Sequence, residues 1–138
     1  MGQVLYIIRG LPGSGKTTLA KVIAQSVDAF GAAHIETDQF FETLDGGWVF
    51  DQSRIAEAHD NCFRCVVEAL DWGNSVIVSN TATQKWEAQR YLDAAASRGV
   101  DVQIITLQGP WATVHGVPEG VIQQMAERFE DSGSWLVP

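Results

Sequence analysis

Residues 10–17 read GLPGSGKT and fit the pattern GxxxxGK[ST]. Glycines at this spacing let successive backbone N–H groups turn into one concavity, which can cradle phosphate oxygens at the start of a helix. Gly10, Pro12, Gly13, Ser14 and Gly15 would shape that cradle, Lys16 would reach the outer phosphates, Thr17 would offer its hydroxyl to a magnesium ion, and Thr18 would follow in the helix behind. A second group is ETDQFF, residues 36–41. There Asp38 could orient an acceptor hydroxyl and take its proton during phosphoryl transfer, although an aspartate in that position also suits the plainer role of a helix cap.

An octet of this kind can arise by chance in a glycine turn, so its setting decides. Val4–Ile8 is a short apolar run with β-branched residues, as in a strand buried on both faces. Thr17–Val27 carries Leu19, Ala20, Ile23, Ala24 and Val27 at helical spacing. Strand, loop and helix in that order are the context the motif requires. Ala33–Thr37 reads as a weaker second strand ending at Asp38. From Gln52, the residues Ile55, Cys62, Phe63, Val66, Val67 and Leu70 form one helical stripe that Gly73 would stop. Ser75–Ser79 is a third strand leading into Asn80 and Thr81. Residues 84–98 form a helix that Thr83 would cap and Gly99 would stop, and Val100–Leu107 is a fourth strand. Pro118 sits where a last helix could begin, with Val121, Ile122, Met125 and Phe129 on one face.

Strands alternating with helices predict an α/β fold with a parallel sheet of about four strands covered on both sides. Ligands of such sheets lie at the carboxyl ends of the strands, so the loops holding Gly10–Thr17, Asp38, Asn80 and Gly109–His115 should meet at one edge.

With 138 residues the chain fits one compact domain, read as residues 1–131 followed by a tail at 132–138. Its apolar fraction of 46% supports a sizeable core, yet nothing approaches the roughly 18 uninterrupted apolar residues of a membrane span. The opening MGQVLYIIRG lacks a basic flank and reads as a first strand, not a signal peptide. Two cysteines, Cys62 and Cys65, are too few and too close for a disulfide framework, which suggests a reducing compartment and hence the cytoplasm. A formal charge of −8 with nine lysines and arginines argues against a broad nucleic-acid surface. Any contact with nucleic acid is therefore local. Oligomeric state is not legible.

At this point the chain resembles the polynucleotide-kinase and zeta-toxin branch of the P-loop kinases. The likeness rests on RGLPGSGKT, ETDQFF, GGWVFD at 46–51, the AH pair at 58–59, SVIVSNT at 75–81 and HGVPEGVIQQMAERFE at 115–130. The resemblance implies the three-layer P-loop NTPase fold, ATP and Mg²⁺ as cofactors, and the role of general base for Asp38. It also implies that Asn80 and Thr81 face the acceptor. Two departures stand out. The stretch GPWATVHGV has no arginine where the family carries lid arginines, so His115, Trp111 or a cation from elsewhere would have to substitute, with Arg128 and Arg9 the nearest. Ser79 stands where an aspartate often ends the third strand, so magnesium would rest on Thr17, phosphates and water, with Asp38 nearby.

His59, Cys62 and Cys65 fall on one helix and are read as core packing, with His59 near enough to the helix start to face an acceptor pocket. Phe40, Phe41, Trp48 and Phe50 surround a glycine-rich loop near Asp38 and could either pack beneath it or stack a base. Trp86 is expected to pack its helix onto the sheet, and Trp135 to pin the tail.

The expected activity is an ATP-dependent kinase. Its acceptor would be a hydroxyl on nucleic acid, either a polynucleotide 5′-OH or the hydroxymethyl group of a modified pyrimidine such as 5-hydroxymethyluracil in phage DNA, which would place it in the host cytoplasm. A nucleoside or small alcohol, a sugar nucleotide as in zeta-like toxins, and a non-catalytic nucleotide switch remain alternatives.

Overall fold

The computed structural model describes residues 2–11, 14–27, 32–82, 84–107 and 119–136. Its centre is a sheet of four parallel strands, β1 (Val4–Gly10), β2 (Ala33–Ile35), β3 (Val76–Asn80) and β4 (Asp101–Leu107), in the order β2-β3-β1-β4. β1 has a neighbour on each side, with Ile8 opposite Ser79 of β3 and Ile105 of β4. That central place explains its unbroken apolar run: a strand covered on both faces has no polar side to show.

Helices supply the covers. On one face α1 (Lys16–Val27) sets Ala20 against Ile8 and Ile77. On the other, α2 (Ile55–Asp71) and α3 (Lys85–Ser97) bring Cys62, Val66, Leu70, Tyr91 and Ala95 against Leu5, Ile7 and Val78. The result is the expected three-layer α/β architecture. α2 stops before Gly73 and α3 before Gly99, as their spacing predicts. A last helix, α4 (Glu119–Glu127), half-buries Ile122 and Met125 but leaves Val121 exposed, so its inward face is narrower than predicted.

Three further expectations are corrected. The second strand ends at Ile35, not Thr37, and Thr37–Phe41 forms a 3-10 helix. β2 is an edge strand with β3 as its neighbour, and after Ile35 the chain leaves the ladder because the Thr37 N–H donates to Asn80 Oδ1 at 2.9 Å. The cap of α3 falls on Gln84, whose N–H donates to Glu87 Oε2 at 2.9 Å; Thr83 itself lies outside the described residues. Trp86 does not pack on the sheet. It is 71% exposed, with its indole N–H donating to Gln84 Oε1 at 2.8 Å.

Arg9 occupies an unexpected place. It lies in β1 and is fully buried, with Nε donating to Ala82 O at 2.8 Å and Nη1 to Thr106 Oγ1 at 3.3 Å. Its guanidinium carbon sits 4.0 Å from the centre of the Phe129 ring and 4.3 Å from that of Trp135. A cation held this way is a core element, so Arg9 cannot stand in for a lid arginine. Ala82, whose carbonyl it grips, has φ of 44°, a left-handed backbone that a residue with a side chain adopts only at some cost. Trp135 is buried at 6% exposure and holds the last segment to the sheet, together with Ser132 Oγ 3.0 Å from Thr106 Oγ1.

Candidate active site

β1 delivers the glycine-rich loop and α1 receives it. Gly10, the last residue of β1, is buried where the loop folds back: a Cβ there would overlap Ser14 Oγ and come within 3.0 Å of Leu107 O. Only hydrogen at this position lets the loop close so tightly. Gly15 has φ of 89°, which turns the backbone into α1. Ser14 is buried at 4% exposure and its hydroxyl has no hydrogen-bond partner among the described residues. Pro12 and Gly13 lie outside the described residues.

Lys16 begins α1. Its Nζ donates to Gly10 O at 2.9 Å and to Leu11 O at 3.1 Å, so the ammonium is folded over the mouth of the loop. Burial lowers its pKa from the ordinary lysine value, and the nearby carboxylates of Asp38 and Glu36 oppose that shift. Asp38 is thus brought to the lysine side of the site, on the 3-10 helix after β2, with its side chain exposed to solvent. Its backbone is held from behind, since Trp48 Nε1 donates to Asp38 O at 3.1 Å.

The aromatics near Asp38 form one cluster. Phe41 lies at its centre, 5% exposed, with Phe40 at 5.3 Å, Phe50 at 5.2 Å and Trp48 at 6.1 Å between ring centres. Trp48 and Phe50 stack at 5.8 Å with 14° between planes. Phe41 therefore underpins the 3-10 helix and presents no open face to an acceptor, and Trp48 spends its N–H on Asp38. Phe50, 48% exposed, is the ring of this cluster most open to solvent.

Sequence reasoning missed the hydroxyl–carboxylate chain beside Lys16. Glu36, just beyond β2, accepts through Oε2 from Thr17 Oγ1 at 2.9 Å and from Ser79 Oγ at 3.0 Å. Ser79 Oγ also lies 2.9 Å from His34 Nε2, and that nitrogen is 3.8 Å from Glu36 Oε1. Burial lowers the His34 pKa, against the opposing pull of Glu36. The available signal was the absence of an acid at Ser79 next to an extra acid in ETD. Thr17 and Thr18 are both exposed on the first turn of α1.

The oxygens of Thr17, Glu36 and Asp38 are hard donors of the kind magnesium prefers. Among the described residues no group of three His, Cys, Asp or Glu side chains gathers to hold a metal unaided. Such a donor set fits an ion that completes its shell with phosphate and water.

On the α2 and α3 side of the sheet edge lies a cavity of about 720 Å³, walled by His59, Asp60, Asn80, Trp86, Arg90 and Tyr91 among others. His59 and Asn80, both expected near an acceptor, line this cavity, and the exposed Trp86 joins them. His59 Nδ1 is 3.2 Å from Thr37 Oγ1. Desolvation, then the charge of Arg90, lowers its pKa, and Asp38 counts among the acids that oppose this. Arg90 is itself fixed by Asp60, Nη1 to Oδ1 at 2.9 Å, across the α2–α3 gap. Tyr91 is buried and its phenol is pushed well above the ordinary range, chiefly by desolvation. Cys62 is buried beneath this wall, where Asn80 Nδ2 reaches its sulfur at 3.7 Å. The Thr81 carbonyl accepts from the Gly10 N–H at 3.3 Å, which ties the end of β3 to the loop. Arg128 is exposed after α4, whereas Trp111, His115 and Pro118 lie outside the described residues.

Fold and loop together define a parallel α/β protein with a GxxxxGK[ST] loop between β1 and α1. Over residues 5–131 the chain matches the AAA domain family AAA_33, and it belongs to that family. It is 29% identical to human NEDD4-binding protein 2 over 140 residues, a match covering 94% of this chain and 8% of that protein. Among solved structures it superposes on a chain of the Pnkp1/Rnl/Hen1 RNA repair complex with a TM-score of 0.64, at 18% identity, covering 92% of this chain and 36% of that one. The Mycobacterium tuberculosis APS kinase CysC, solved with AMPPNP and APS, gives a TM-score of 0.60 at 18% identity, covering 95% of this chain and 70% of that one. The chain thus spans a small part of the human relative and about a third of the RNA-repair chain. No helix among the described residues is long and apolar enough to cross a membrane.

Proposed function

We propose that this chain is an ATP-dependent kinase that moves the γ-phosphoryl group of ATP to a hydroxyl on nucleic acid, contacted locally at a 5′ end or on a hydroxymethylated pyrimidine. The observation that carries this reading is the placement of Asp38: the segment holding it is bonded through Thr37 to Asn80 and His59 on the cavity wall, and through Glu36 to Thr17 beside Lys16. A donor and an acceptor entering from those two sides would meet at that carboxylate.

Lys16 binds the phosphates as a point charge and stabilises the negative charge that builds on the leaving oxygen. Asp38 accepts the hydroxyl proton as the acceptor oxygen attacks phosphorus and the bond to the β-phosphate oxygen breaks. Asn80 keeps the 3-10 helix that carries Asp38 tied to β3. Magnesium, when bound with the nucleotide, neutralises part of the triphosphate charge. The cavity receives the acceptor group, with Trp86 on its rim as a face for a flat ring.

The acids on the cavity wall, Asp60, Glu87 and Asp93, favour one alternative acceptor, a free nucleoside or small alcohol, because they repel a polyphosphate backbone. Labelled ATP offered with hydroxymethylated DNA, unmodified 5′-hydroxyl DNA and free nucleosides separates the two. Label on DNA supports the first choice, and label confined to nucleosides rejects it. Asp38→Asn should keep ATP binding and lose transfer by about 10²–10⁴-fold. A slow nucleotide switch would be indifferent to that change.

A further inference from the structure

β3 ends in Ser79 and Asn80, so it brings no carboxylate to the phosphate loop, and a serine hydroxyl alone is a weak partner for a divalent cation. The sheet order places β2 beside β3, which puts residue 36 next to residue 79 at the same edge. Glu36 uses that placement. One of its oxygens accepts from both Thr17 on α1 and Ser79 on β3, and the other faces His34 at 3.8 Å. Three elements therefore fix the carboxylate beside the threonine that follows Lys16.

We propose that Glu36 is the carboxylate of the divalent-cation site, delivered from the end of β2 across Ser79 in place of an acid on β3. This rests on the kinase reading above. A carboxylate has about four lone-pair directions, and two hydroxyl donors on Oε2 leave capacity for a cation or its water shell. The bonds to Thr17 and Ser79 preset its orientation, as hydrogen-bonded partners do for carboxylates at metal sites. A link that only braced α1 against the sheet would need an acceptor but no charge. That difference can be measured.

Glu36→Gln keeps an oxygen able to accept from Thr17 and Ser79 while removing the charge, so its melting temperature should stay close to that of the unmodified protein. ATP affinity is measured by calorimetry with Mg²⁺ and with EDTA, and Mn²⁺ binding in the presence of ATP by electron paramagnetic resonance. The unmodified protein should bind ATP more tightly with Mg²⁺. Glu36→Gln should lose about 10–100-fold of Mn²⁺ affinity while its metal-free ATP affinity is kept or improved. Glu36→Gln combined with Ser79→Asp, which moves the acid to β3, should recover metal dependence. Unchanged Mn²⁺ affinity in Glu36→Gln overturns the assignment while leaving the kinase reading intact, as does failure of the double variant to regain it. Should the unmodified protein bind no ATP under either condition, the kinase reading falls and this assignment falls with it.

Discussion

The backbone N–H of Thr37 donates to the side-chain oxygen of Asn80 at 2.9 Å, so the turn that carries Asp38 is hung from the end of the neighbouring strand. Thr37 is buried at 5% exposure, and its N–H would otherwise lack a partner. Asn80 thereby positions the turn that carries Asp38 and also lines the cavity beside α2 and α3. Asn80→Ala should cost about 1–3 kcal/mol in urea unfolding, the usual penalty of an orphaned buried donor. It should also lower kcat for transfer while leaving ATP affinity near normal, because Lys16 and its loop are untouched. A variant that bound ATP poorly but kept kcat would contradict this account.

The ring of His59 should titrate below the ordinary histidine value, since burial and then the Arg90 charge disfavour its cationic form. A histidine whose pKa is depressed on folding takes up fewer protons than in the unfolded chain. Stability therefore falls as pH drops from about 6.5 toward the depressed value, and is fully present above 6.5. Removing the neighbouring charge with Arg90→Gln should move the ring upward and narrow that window. Proton NMR titration of the His59 ring in both proteins checks the direction, and an unmoved or lowered value in the variant refutes it.

Arg9 offers a test of the core. Its planar cation lies against two rings and donates to Ala82 and Thr106, an arrangement an ammonium cannot reproduce. Arg9→Met should destabilise by about 2–4 kcal/mol, the sum of lost charged hydrogen bonds and ring contacts. Arg9→Lys should recover less than half of that, although it restores the charge. Equal stability of Arg9→Lys and the unmodified protein in chemical unfolding would show that charge alone matters there.

The candidate-site residues that lie within one local pattern were legible in the sequence. Gly10, Gly15, Lys16 and Thr17 occupy the strand–loop–helix setting that GxxxxGK[ST] demands, and the α2 stripe buries Cys62, Val66 and Leu70 as its spacing predicts. What stayed hidden depends on which strands are neighbours. Glu36 gains its meaning only when β2 lies beside β3, and no periodicity along one segment encodes that adjacency. The second strand looked two residues longer because no turn residue interrupts the sequence at Glu36 and Thr37, while the bond that ends it runs from the Thr37 N–H to Asn80, 43 positions away. Trp86 was misplaced for a related reason. Its bulk suggested burial, yet Tyr91, Leu92 and Ala95 are the α3 residues that join the core against the sheet. Phe41 shows the converse, a residue expected at the acceptor that lies too deep in its own aromatic cluster to touch one.

The burial of Arg9 has an outcome for how the molecule is made. This cation leaves the ribosome before the rings of Phe129 and Trp135 that shelter it, which emerge only after all four described strands have been synthesised. Until then the strand leading into the phosphate loop carries a charge that water must solvate, and its final seating waits for the opposite end of the domain. A nascent chain halted before residue 129 would thus hold all four described strands and still lack the rings that seat Arg9.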